Sequence, residues 1–181
     1  MTRDIGIALP LPEPYSAELQ AWRERFGDRN ASAIPPHITL VPPTRLARDD
    51  LDEVEEHLRA VAAGSPRFLL VLDGTDGFRP ASPVVFVRLV HGAEECGLLQ
   101  EQVRCGPLAR ELAFPYHPHV TIAHDLPDPQ LDEAERALAG YSAGWRAWGL
   151  TMFERGDDGV WRPQRDFPFA GAEVGPAPEP A

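Results

Sequence analysis

Pro36-His37-Ile38-Thr39-Leu40 returns 82 residues later as Pro118-His119-Val120-Thr121-Ile122. In a strand, residues i and i+2 share a face. Each stretch therefore puts a histidine and a threonine on one side and aliphatic side chains on the other. On a helix the same spacing would splay the two polar groups apart. The repeat extends outward from these strands. Leu51-Asp52-Glu53-Val54-Glu55 returns as Leu131-Asp132-Glu133-Ala134-Glu135, at an offset of 80. Gly74-Thr75-Asp76-Gly77-Phe78-Arg79-Pro80 returns as Gly156-Asp157-Asp158-Gly159-Val160-Trp161-Arg162-Pro163, with one extra residue. Three matches in the same order at nearly one offset mark a duplication with a period of half the chain.

Each half reads as strand–helix–strand–helix–strand. The first strands are expected at Ile5 to Leu11 and Val84 to Val90. The first helices are expected at Ser16 to Phe26, with Leu19, Trp22 and Phe26 at helical spacing, and between Ala93 and Leu112, broken at Gly106-Pro107. The two His-x-Thr strands follow. Asp50 with Glu53 resembles a capping box ahead of the stripe Leu51, Leu58, Val54 and Val61; Asp128 with Pro129 marks the start of the corresponding helix. Final strands are expected at Phe68 to Leu72 and Arg146 to Phe153, each leading into a Gly/Asp-rich hairpin. The expected fold is α+β and bilobal. Each lobe is a mainly antiparallel sheet with helices on one side, and a cleft lies between the lobes. One duplicated domain spans 1–170, with halves at about 4–82 and 83–170. The Gly/Ala/Pro-rich segment 171–181 is expected to be disordered.

The chain of 181 residues has 28 acidic and 17 basic side chains, a formal net charge of −11, and all its basic residues are arginine. This acidity argues against long DNA or RNA as a partner, because gripping a phosphate backbone needs a basic face. The lack of lysine excludes Schiff-base chemistry and a P-loop lysine. A hydrophobic content of 43% supports a packed core. The apolar run Ile5 to Leu9 is too short for a signal peptide and no stretch reaches the length of a membrane span, so a cytoplasmic protein is expected. Cys96 and Cys105, nine apart on one helical segment, are too distant to bridge. A monomer is expected.

If the halves pack about a pseudo-twofold axis, two imidazoles and two hydroxyls face one cleft. That set suits a phosphodiester. In-line displacement at phosphorus needs a proton removed on one side and another supplied on the other. Histidine, titrating near 6.5, serves either role, and threonine hydroxyls can hold the non-bridging oxygens. Paired His-x-Thr strands about eighty residues apart in a duplicated chain resemble the 2H phosphoesterase superfamily. The similarity is greatest to its 2′-5′ RNA ligase-like and RNA 2′,3′-cyclic phosphodiesterase branch. This resemblance covers about residues 4–170. It implies hydrolysis of 2′,3′-cyclic phosphates of a cyclic nucleotide or short RNA terminus, usually to a 2′-phosphate and without metal or other cofactor. Some members also join RNA ends reversibly through 2′-5′ linkages. By the same resemblance, His37 donates a proton to the leaving oxygen, His119 activates water, and Thr39 and Thr121 hold the phosphate. Many members carry arginine three residues after the second threonine; this chain has His124 there.

Other residues have two readings each. Arg79 and Arg162 recur in the two hairpins and are candidate substrate contacts, against the plainer reading of surface turns. Tyr116 is a candidate for stacking on a base. His117 is expected at the cleft rim. With His119 and His124 it supplies the rival reading, a metal-dependent hydrolase. If the second strand continued regularly, however, His124 would point away from His119. A third reading is a non-catalytic module that binds phosphate esters.

Overall fold

The computed structural model describes residues 2–171. In chain order its elements are β1 (Thr2–Pro10), α1 (Tyr15–Phe26), β2 (His37–Ala47), α2 (Leu51–Gly64), β3 (Phe68–Gly77), β4 (Val84–His91), α3 (Ala93–Val103), β5 (His119–His124), α4 (Asp128–Ala137), β6 (Ser142–Ala147), β7 (Gly149–Arg155) and β8 (Trp161–Pro168). All eight strands form one sheet, in the order β6-β3-β4-β5-β2-β1-β7-β8. Every neighbouring pair is antiparallel.

The centre of the sheet is the contact between the two motif strands, β2 and β5, registered at Ile38 opposite Val120. Four strands lie on each side, and each group of four draws on both sequence halves. β3, the last strand of the first half, pairs with β4 and β6. β7, from the second half, pairs with β1 and β8. The helices cross over as well: α1 packs on β5 and α3 on β2. One face of the sheet is apolar. Ile5, Ile7 and Leu9 of β1, Ile38 and Leu40 of β2, and Val120 and Ile122 of β5 join Leu19, Leu58, Leu99 and Leu131 of the four helices in a single core. The opposite face of β1, β2 and β5 is left for the site.

The stretch Arg146 to Phe153, expected as one strand, is two. β6 ends at Ala147 on one side of the sheet and β7 begins at Gly149 on the other. The switch is made at Trp148, whose carbonyl accepts a hydrogen bond from the Phe169 amide. A Cβ at position 149 would lie 2.5 Å from the Phe167 carbonyl oxygen, so only glycine lets β8 close over the crossing. The capping box is not formed either. Asp50 is already helical, at φ −87°, and ends a 3₁₀ turn that runs straight into α2, so its side chain caps nothing. Pro127, not Asp128, is the N-cap of α4. The helix from Ala93 stops at Val103, and Gly106–Leu108 forms a separate 3₁₀ turn at the expected break. Cys96 is buried, Cys105 exposed, and both are free. No helix among the described residues is long and apolar enough to cross a membrane. The disorder expected for the tail concerns 172–181, outside the described residues; Gly171 itself donates its amide to the Ser65 carbonyl.

Candidate functional site

The register of Ile38 against Val120 fixes the site. In an antiparallel pair centred there, His37 faces the position of Thr121, and Thr39 that of His119. The four polar residues form a two-by-two grid on one face, with the histidines at diagonal corners. Just beyond each threonine the ladder skips a residue. Ala8 pairs with Thr39 and Ile7 with Val41, so Leu40 has no partner. Phe86 pairs with Thr121 and Val85 with Ala123, so Ile122 has none. These matching bulges bury two consecutive residues, Leu40 with Val41 and Ile122 with Ala123. They also reverse the alternation of faces. His124 consequently returns to the face of Thr121, opposite to what an unbroken strand would give.

The two imidazoles are held alike. His37 donates Nδ1–H to the Pro35 carbonyl at 2.8 Å, and His119 donates Nδ1–H to the His117 carbonyl at 2.7 Å. Each bond uses the carbonyl two residues upstream and leaves Nε2 as the basic nitrogen. Nε2 of His37 lies 3.1 Å from the Thr39 hydroxyl. Burial pushes His37 down to about 4, and the Arg23 guanidinium and His119 add to this against the bond to Pro35. Burial also lowers His119, with His117 adding and the carbonyl bond opposing. Both rings are therefore neutral at pH 7 before a substrate binds.

A cavity of about 460 Å³ opens beside His37, Thr39, Thr121 and His124. His119 is not on its wall. Its ring packs against Phe78, Phe86 and His117, with centroids 5.0, 4.8 and 5.9 Å away. The reason lies in the neighbouring strands. Opposite Thr39 stands Ala8, and opposite Thr121 stands Phe86. Two residues earlier β1 has Gly6 where β4 has Val84. Small side chains on β1 leave the space that Phe86 fills on β4, and Phe153 and Trp161 then wall it.

Arg23 and Asp28, both buried, line this cavity. Arg23 Nε bonds Asp28 Oδ2 at 3.0 Å, and its Nη1 bonds the Ile34 carbonyl at 2.6 Å. The pair thus anchors the loop that carries the Pro35 carbonyl to His37. The helical stripe pointed to Trp22 as the inward residue of α1. Trp22 instead lies half-buried on Phe26 while Arg23 turns inward. Nothing in the spacing marked it, although a carboxylate five residues on was a signal for pairing. Asn30 donates to His124 Nδ1 at 3.1 Å, and His124 Nε2 lies 3.4 Å from Asp125, so this ring is tethered at the cavity edge.

Three expected substrate contacts lie elsewhere. Arg79 clamps its hairpin to α4 through Asp132 at 2.8 Å and Glu135 at 3.0 Å. Arg162 pairs with Asp158 inside its own hairpin at 2.7 Å. Neither lines the cavity. The Tyr116 hydroxyl donates to the Thr39 carbonyl at 2.9 Å and its ring packs on the core, so it braces the two motif strands and offers no face to a base. His117 is exposed, as expected for the rim. The rival metal set does not converge: among the described residues no three His, Cys, Asp or Glu side chains come together as a ligand group. Arg155 and Trp161 also line the cavity; Trp161 lies within the repeated hairpin motif and Arg155 one residue ahead of it, and neither position carries a sequence signal for the cavity.

Comparison with known proteins agrees with this geometry. Residues 11–159 match the model of the 2′-5′ RNA ligase superfamily. A protein of Geobacillus kaustophilus named "Putative phosphoesterase" is 30% identical over 67% of this chain and 69% of its own length. One of the same name from Halalkalibacterium halodurans is 31% identical over 71% and 74%. Among solved structures, E. coli LigT complexed with NADP+ superposes with a TM-score of 0.67 at 18% identity, covering 94% of this chain and 99% of its own. TT0787 of Thermus thermophilus gives 0.69 at 22%, covering 93% and 98%. The chain belongs to the 2′-5′ RNA ligase superfamily of 2H phosphoesterases.

Proposed function

We propose that this protein hydrolyses 2′,3′-cyclic phosphates of nucleotides or short RNA ends with its two motif histidines and no metal. The observation that carries this reading is the matched pair of tautomers: each Nδ1–H is held by the carbonyl two residues upstream, which leaves each Nε2 basic. The diagonal placement of the rings suits in-line displacement, with attacking and leaving oxygens on opposite sides of phosphorus. His119 Nε2 takes a proton from water as the water oxygen bonds to phosphorus. The bond to the 3′ oxygen breaks, and His37 Nε2 gives that oxygen its proton. The products are a 2′-phosphate and a 3′-hydroxyl. Thr39 and Thr121 donate hydrogen bonds to the non-bridging oxygens.

The low affinity of His37 for a proton bears on this scheme. Before substrate binds it is neutral, so the acid must be charged together with the substrate. The negative phosphodiester favours the imidazolium and raises its pKa on binding. Structures of E. coli LigT complexed with 3′-AMP and with phosphate are in keeping with a phosphate-ester cleft in this fold. The net charge of −11 favours a small substrate or a single RNA end over long nucleic acid. The test is product analysis on cyclic phosphates from mononucleotides to short RNA, in excess chelator. A 2′-phosphate product is expected. Activity that disappears with chelator and returns with zinc would overturn the metal-free mechanism.

A further inference from the structure

The cavity holds two arginines, and they differ. Arg23 is buried and committed to Asp28 and the Ile34 carbonyl. Arg155 is exposed and makes no ion pair among the described residues, although the chain as a whole is strongly acidic. Asp4 lines the same cavity and feels the Arg155 charge, but its carboxylate is paired with Arg45 at 3.0 Å. Trp161 stands opposite Arg155 in the β7–β8 ladder and lines the same cavity. Gly159, at φ +80°, turns the hairpin beside them, and Arg155 Nη2 lies 3.6 Å from where a Cβ would be. A second hollow of about 590 Å³ continues past Asp4, Arg155 and Gly159; it holds Arg3, Arg45 and Arg48 together with Glu154 and Asp157, and Arg3 pairs there with Glu154 and Arg45 with Asp4. The cleft therefore runs outward from the motif residues, and along it Arg48 and Arg155 are the arginines with no ion pair among the described residues.

Its length can be counted on β1. Ala8 lies opposite Thr39 and Asp4 opposite Arg45, so the two ends are four residues, or about 13 Å, apart. That span exceeds one phosphoryl group and is longer than the separation of two phosphates on one ribose; Arg155, which lines the inner cavity as well as the outer hollow, reaches back over the difference. The wall along it is Gly6, Phe153 and Trp161, which suits a sugar and base.

We propose that Arg155, beside Trp161, forms a second phosphate subsite, so that the preferred substrate is a cyclic-phosphate nucleotide bearing a further phosphate on its 5′ side. This rests on the phosphodiesterase reading for the identity of the first phosphate. A 5′-phosphorylated mononucleotide and an internucleotide linkage share this chemistry. The arginine fork would engage the phosphate oxygens as a charge-assisted donor.

The experiment measures binding and so does not depend on turnover. Adenosine 2′,5′-bisphosphate and adenosine 2′-monophosphate are titrated into the whole protein by calorimetry. The bisphosphate is expected to bind roughly tenfold tighter, and Arg155→Ala to bring the ratio to about one. Arg146→Ala, an equal charge change on β6, is expected to keep the tenfold ratio. Equal affinities in the wild type, or a ratio that survives Arg155→Ala, would overturn the subsite. A third ligand, 5′-phosphorylated pCpA ending in a 2′-phosphate, separates the two sources: a gain over the bisphosphate identifies an RNA end, and equal affinity a mononucleotide. Failure of hydrolysis with the ratio intact would count against the catalytic reading alone.

Discussion

The two motif strands are nearly identical in sequence and in local geometry, and they differ in what stands beside them. Both carry His-x-Thr on one face, both bulge just after the threonine, and both fix the histidine through the carbonyl two residues upstream. Beside β2 stand Gly6 and Ala8, an open cavity, and the buried Arg23–Asp28 pair. Beside β5 stand Phe86, Phe78 and His117, whose rings enclose His119. On the proposed mechanism, the symmetric parts supply a proton-transfer group on each side of phosphorus. The asymmetric parts decide where the rest of a substrate can lie. The motif strands are alike, and the side chains on the strands flanking them make the two sides unlike.

This contrast can be broken at several points. The largest effect is expected at the symmetric element. His37→Ala and His119→Ala should each lower kcat/KM by about 10²–10⁴-fold, measured on a 2′,3′-cyclic nucleotide. Comparable losses in both would show that the enclosed histidine works as hard as the open one. Next is the buried pair. Arg23→Leu leaves Asp28 without its partner and should cost about 3–5 kcal/mol in denaturant unfolding. Arg23→Leu with Asp28→Leu should recover most of that stability. The double variant should nevertheless keep a weakened kcat, because the loop holding the Pro35 carbonyl has lost its anchor. Ala8→Phe copies the β4 side chain onto β1. It should raise KM by roughly tenfold or more by filling the cavity, and circular dichroism should show the fold retained.

A separate effect is expected on stability against pH. His37 titrates near 4 in the folded protein and near 6.5 when unfolded. Between those values the unfolded chain binds a proton that the folded one does not. The contribution is therefore complete above about pH 6.5 and is lost as pH falls towards 4. His37→Asn should flatten that part of the Tm profile. An unchanged slope would mean that the ring is not desolvated as described.

Much of the candidate site's geometry was legible because strand periodicity is strict: a repeated His-x-Thr on β-type sequence places both polar groups on one face. The fold class followed from the duplication. The exchange of β3 and β7 between the two sides was not legible, because internal similarity reports which segments are equivalent and not which of them pair. The bulges were hidden for a related reason. Leu40-Val41 and Ile122-Ala123 read as ordinary strand, yet the skipped residue is what brings His124 round to the cavity. Repetition also misled. Arg79 and Arg162 recur together, but each is taken up by nearby carboxylates. Arg23 and Arg155, outside every repeated motif, line the cavity.

On the proposed mechanism, two neutral, similarly held imidazoles share the proton transfers without a metal. The most direct test of this mechanism is the pH dependence of kcat/KM for 2′,3′-cyclic AMP in excess chelator. Since burial lowers both His37 and His119, and one must be protonated while the other is not, a bell-shaped profile with its maximum below pH 6.5 is expected. Undiminished activity in the His37→Ala, His119→Ala double variant would contradict that mechanism outright.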